Sequence, residues 1–177
     1  MKTVTINRAP VLTLWATVVA ERLGFAHDEA LTLGRAVAGL NAYSKGKSLG
    51  LFKPTPGEVR ARRDRKAREA GVFHVALLHR AVPVLHTDEG LRAVARGDRP
   101  VDPASVQRYL ESKFGGALGA ASEAMIDLAG SRDPEALADE AYALYEQFRP
   151  GVPAGTRGWG AAGELDLSLI RKLAKKA

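Results

Sequence analysis

The chain has 177 residues, 46% of them hydrophobic and 26% charged, with a formal net charge of +6. That length suits one domain with a core of its own, and the lack of any cysteine excludes disulfides, thiolate metal sites and cysteine nucleophiles. No apolar run approaches the roughly 20 residues of a membrane span, so no membrane partner is expected, and the absence of cysteine fits a cytoplasmic protein.

Taken in chain order, Thr3 to Ile6 alternates weakly between polar and apolar residues. Pro10 then opens a helix that Gly24 closes, with Val11, Leu12, Leu14, Trp15, Val18, Val19 and Leu23 at core-facing helical spacing. Lys2 and Arg8 ahead of this run, and Val18-Val19-Ala20 behind it, imitate a secretory leader; Thr13 and Thr17 interrupt the run, and its periodicity is that of an amphipathic core helix. A second helix is predicted from about Asp28 to Ser44. Its Gly34, Ala38 and Ala42, four apart, form a small-residue stripe suited to close contact with another helix.

A loop over 45–54 leads to Thr55-Pro56-Gly57-Glu58, a capping box with Pro at the first helical position, which predicts a helix over 56–70. The β-branched stretch 72–86 reads as extended, with Pro83 making it either an edge strand or two short strands turning near Arg80. A short helix is expected over 88–95, ending at Gly97. Asp102-Pro103 and Asp133-Pro134 each announce a helix, the first carrying Val106, Tyr109, Leu110 and Phe114, the second Leu137, Ala141, Leu144 and Phe148. Between them a small-residue helix is expected over 117–129. A Gly- and Pro-rich loop fills 150–163, and Asp166 caps a closing helix with Leu167, Ile170 and Leu173 inward. The expectation is therefore a mainly α domain over 1–177, of about seven helices, with a small β-hairpin or short edge strands. Within it 44–71 form a basic loop and helix, and 150–177 a loop and terminal helix.

Several strings imitate known sites. Gly46-Lys47-Ser48-Leu49-Gly50 matches G-x-S-x-G, and Gly46-Lys47-Ser48 matches the end of a P-loop, but both follow a helix where a strand is required. The P-loop would also need glycine where Asn41 stands. Gly158-Trp159-Gly160-Ala161-Ala162-Gly163 spells G-x-G-x-x-G without the strand before it or the acidic residue about 20 positions after it. His74, His79 and His86 share no zinc-site spacing, so no metal and no cofactor is expected. Ala20-Glu21-Arg22-Leu23-Gly24-Phe25, followed by Leu31 and Leu33, resembles the core of a helix-turn-helix over about twenty residues. Its second helix would open on Asp28 and Glu29, which repel phosphate, so the segment is read as a helical hairpin.

The charge is segregated along the chain. Between Ser44 and Arg80 ten Lys and Arg face three acids, from Ala81 to Phe148 six face twelve, and from Arg149 onward six face two. In the helix over 56–70, Arg60, Arg62, Arg63, Arg65, Lys66 and Arg68 surround the axis, and a helix polar all round is not held by core burial. With Lys45, Lys47 and Lys53 in the preceding loop, the segment reads as a phosphate-tracking surface. The expected function is non-catalytic, weakly selective nucleic-acid binding, to DNA rather than RNA, through Lys45, Lys47, Lys53, Arg60, Arg62, Arg63 and Lys66. The alternative is an assembly protein, a homo-oligomer in which acidic and basic faces of neighbouring copies dock without nucleic acid. Arg157 and Trp159, among the loop glycines, are a candidate partner contact. Tyr109, Arg149 and Arg157 are candidates for a small-molecule site assembled by the fold.

Overall fold

The computed structural model describes residues 2–48, 57–95, 99–151 and 161–176. In chain order the elements are β1 (Thr3–Ile6), α1 (Arg8–Arg22), α2 (His27–Ser48), α3 (Gly57–Glu69), β2 (Phe73–Leu77), β3 (Arg80–Thr87), β4 (Gly90–Ala93), α4 (Pro103–Phe114), α5 (Leu118–Gly130), α6 (Pro134–Phe148), β5 (Gly163–Asp166) and α7 (Leu167–Lys175). The chain is mainly helical. A 3₁₀ turn at Gly115–Ala117, entered through Gly115 at φ 56°, links α4 to α5 with no loop between them, so the described residues hold six contiguous helical stretches rather than seven.

The centre is α1. Every residue from Pro10 to Ala20 is buried, so this helix is apolar on all sides rather than amphipathic as its spacing suggests. Its two threonines fit that setting because each hydroxyl donates to the carbonyl four residues back, Thr13 to Ala9 at 2.9 Å and Thr17 to Thr13 at 2.7 Å. Around it pack α2, α4, α5 and α6. Trp15, fully buried, donates from Nε1 to the Ala141 carbonyl at 2.8 Å and meets Phe148 edge-on with ring centroids 5.4 Å apart, which ties α1 to α6. The expected small-residue stripe does its work at Gly34. A Cβ there would collide with Thr17 Oγ1 and lie 2.5 Å from the Thr13 carbonyl, so only glycine lets α1 and α2 approach this closely.

The aspartate caps stand where the sequence puts them. Asp102 accepts from Ala104 N–H at 3.1 Å, Asp133 from Ala136 N–H at 2.9 Å and Asp166 from Ser168 N–H at 2.9 Å. α7 then buries Leu167, Ile170 and Leu173 as expected. β5, just before it, pairs antiparallel with β1, Thr3 opposite Asp166 and Ile6 opposite Gly163. The alternation of Thr3 to Ile6 thus turns Val4 and Ile6 inward.

The stretch after Val72 forms an antiparallel meander in the order β2-β3-β4. Two differences from the sequence reading occur here. Pro83 lies in the central strand, not on an edge, so of the two alternatives for 72–86 the structure holds the second, two strands that turn at Leu78 and His79 beside Arg80. The Pro83 carbonyl accepts from Val94 N–H at 3.0 Å, and since a residue's N–H and C=O face the same neighbour in an antiparallel ladder, the missing donor falls just past the end of β4. The helix expected over 88–95 is instead a two-residue turn and β4. The Thr87 hydroxyl donates to the Gly90 carbonyl at 2.8 Å and accepts from Glu89 N–H, while Gly90 takes φ +122°, a conformation that reverses the chain and excludes a helix.

The outer edge of β4 is covered by side chains of α2. Glu29 Oε2 accepts from Leu91 N–H at 2.9 Å and Thr32 Oγ1 accepts from Ala93 N–H at 3.0 Å, so two strand donors are satisfied by a helix rather than by another strand. The other Glu29 oxygen accepts from Ala26 N–H at 3.0 Å and caps α2. The start of α2, which a helix-turn-helix would present to DNA, is thus docked on the meander.

Candidate functional site

Two cationic features stand out, one an exposed helix and one a pocket. The exposed one is α3. Among the described residues it makes no extensive packing contact with another element, and apart from the half-buried Val59 its described side chains are exposed. These include Arg62, Arg63, Arg65, Lys66 and Arg68. Spacings of three and four place Arg62, Arg63 and Lys66 on one stripe. Glu58 and Arg62, and Arg65 and Glu69, are each four apart, yet neither pair closes to ion-pair distance among the described residues. Among the described residues, Arg62, Arg63, Arg65 and Lys66 are thus exposed and in no ion pair.

Of the other residues expected on this surface, Lys45 and Lys47 fall in the last turns of α2, which runs to Ser48 rather than ending at Ser44. Their side chains, and that of Arg60 within α3, lie outside the description, as do Lys53, Arg157 and Trp159 altogether.

The second is a half-open cavity of about 170 Å³ between the first turn of α1, the second half of α2, the start of β3 and the outer part of α6. Arg8, Arg80 and Arg149 line it, with Asn41, Tyr142 and Tyr145. Each guanidinium is held differently. Arg8 donates from Nε to the Pro150 carbonyl at 2.7 Å. Arg80 donates from Nη2 to Asn41 Oδ1 at 3.0 Å, and the Tyr142 hydroxyl donates to the same oxygen at 3.2 Å. Arg149 lies over the Tyr145 ring, 6.0 Å from its centroid, and its side chain makes no hydrogen bond among the described residues.

Arg80 owes its place to a strained turn. Leu78 and His79, the two residues joining β2 to β3, both have positive φ, 48° and 60°, which bulky side chains rarely adopt. Two features offset that cost: Leu78 is buried, and His79 Nε2 donates to the Asp139 carbonyl at 3.0 Å, docking the hairpin tip against α6.

No carboxylate lines the cavity, and none of the three arginines forms an ion pair among the described residues. The unbalanced charge is felt within the site. Partial burial, and after it the nearby Arg149, lower the Arg8 pKa from the ordinary guanidinium value, while burial raises that of the Tyr145 hydroxyl, which stays neutral. Three guanidiniums with a side-chain amide beside them are suited to holding an anion.

Arg149, a sequence candidate, thus belongs to this cavity, but its expected companion Tyr109 does not; Tyr109 lies instead beneath Arg35, 4.5 Å from ring centroid to guanidinium. Arg8 and Arg80 escaped the sequence reading because nothing links positions so far apart before folding. Tyr142 and Tyr145 escaped it as well, although their spacing with Arg149, i, i+3 and i+7, is a local signal that could have found them. No family model, curated protein or solved structure gives a significant match to this chain.

Proposed function

We propose that this protein binds nucleic acid, DNA rather than RNA, through α3 and with little sequence preference. The observation that carries the reading is a helix whose described side chains are cationic and exposed on nearly every side, with Glu58 and Glu69 in no ion pair among the described residues. The width of the B-DNA major groove admits such a helix, whereas the deep, narrow major groove of A-form RNA does not. Between Gly57 and Glu69 there is no Asn, Gln, Ser or Thr, so any base-edge contact falls to arginine at guanine, while cations spread around the helix suit the phosphate oxygens of any sequence. Binding of this kind is driven by counterion release and falls steeply with salt, by about 0.9 logarithmic unit per neutralised phosphate for each tenfold rise in salt.

The test is fluorescence anisotropy of a labelled duplex titrated at about 50 and 200 mM salt, where three phosphate contacts alone correspond to a fall in affinity of roughly 40-fold. Combined substitution Arg62→Ala, Arg63→Ala and Lys66→Ala should leave the melting temperature nearly unchanged, weaken binding and flatten the salt slope by about three units. Unaltered DNA affinity in that folded variant would remove α3 from the binding surface.

A further inference from the structure

We propose that the cavity between α1, α2, β3 and α6 is a binding site for a small phosphorylated ligand, whose phosphate group is held by Arg8, Arg80 and Arg149. Three elements distant in sequence bring three guanidiniums to one half-open pocket, and among the described residues no acid lines it. Charges gathered in this way repel one another, and an anion in their midst removes the repulsion.

The donors are also placed to act together. Arg8 commits its Nε–H to Pro150, which fixes the side chain and leaves both terminal nitrogens for a ligand. Arg80 is anchored through one terminal nitrogen to Asn41. Two donors converging on Asn41 Oδ1 fix the orientation of that amide, so its NH₂ group is a further neutral donor beside the lining. Arg149 spends no hydrogen bond within the described residues.

The chemistry of the donors favours phosphate over carboxylate. Guanidinium forks match phosphate oxygens bidentately, and a phosphomonoester carries about −1.5 to −2 near neutral pH, answering more of three positive charges than a carboxylate can. The volume sets the size of the ligand. At about 170 Å³ the cavity lies below the roughly 300–1,000 Å³ of sites for drug-sized molecules, so the space itself takes a phosphate and a small attached group, and anything larger would extend through its open side. This site is separate from α3, whose residues do not line it.

Isothermal titration of the full chain with inorganic phosphate, glycerol phosphate and acetate at constant ionic strength tests the proposal. Phosphate and glycerol phosphate should each bind at least about tenfold more tightly than acetate, a difference the dianionic charge supplies. Phosphate binding should strengthen between about pH 5.5 and 7.5, as the second phosphate proton is lost, while acetate binding should not. Arg149→Gln should weaken phosphate binding about tenfold or more, the loss expected for one charge-assisted contact to a desolvated anion. Because Arg149 makes no side-chain hydrogen bond among the described residues, this variant should fold; Arg8→Gln, which also gives up the Pro150 tether, should weaken binding further. The α3 triple variant should bind phosphate as the parent does. Absence of phosphate binding, equal affinity for phosphate and acetate, indifference to Arg149→Gln, or loss of phosphate binding in the α3 variant would each overturn the assignment, the last by moving the anion to α3.

Discussion

Glu29 shows how much one side chain settles. As a sequence position it argued only against a DNA-reading helix; in the structure its two oxygens cap α2 and close the edge of β4 at once. Those two N–H donors, Leu91 foremost and then Ala26, hold its carboxyl below the ordinary value of 4.5. A lowered folded-state pKa means that the carboxylate contributes its full stability above that ordinary value and loses it as the pH falls through the lowered one. Glu29→Ala should cost about 1–2 kcal/mol at neutral pH, the range for a lost charge-assisted bond and cap. Denaturant titrations across the acid range should show the gap between variant and parent constant above about pH 5 and shrinking below pH 4. A gap that persists in acid would assign the effect to lost packing. None of this was legible beforehand, because Leu91 and Glu29 are 62 residues apart and Leu91 sat in a segment read as helical.

At the scale of elements, the helices with aspartate caps were legible because the signal is local: Asp-Pro supplies the cap and the first-turn geometry together. β4 was misread for the opposite reason, since Leu91, Ala93 and their neighbours are few enough to fit either period, and only the Thr87 and Gly90 turn decides. The α1–α2 contact lies between these cases. The glycine and alanine spacing pointed to a close approach without naming the partner. A pair of substitutions tests it. Gly34→Ala gains up to about 1 kcal/mol of helix propensity, but the new Cβ meets Thr17 Oγ1 and a backbone carbonyl that cannot turn aside; a net loss of about 1–3 kcal/mol is expected. Gly39→Ala, in the same helix with nothing within 4 Å of its Cβ, should instead stabilise by up to about 1 kcal/mol. Denaturant midpoints moving in the same direction would show that propensity, not contact, governs both sites.

For the whole molecule, the segregation of charge has two readings that ionic strength separates. If α3 is a free surface awaiting DNA, sedimentation of the protein alone should be the same at about 0.1 and 1 M salt, although the Debye length shrinks from about 10 to 3 Å. A sedimentation coefficient that falls at high salt would give α3 to the acidic face of a second copy. The position of the arginine cavity was the least legible property of all, since its three cations share no window of sequence and meet only after α1, β3 and α6 have been brought together. The same distance governs β1. Thr5 and its neighbour across the ladder, Glu164, are 159 residues apart, joined side chain to side chain at 2.9 Å. At synthesis rates of about 5–20 residues per second, β1 leaves the ribosome roughly 8–30 s before its partner strand exists. For that interval the nascent chain carries an open strand edge bearing Val4 and Ile6, the kind of template on which wrong pairings form, and it depends on shielding until residues 163–166 arrive to close it.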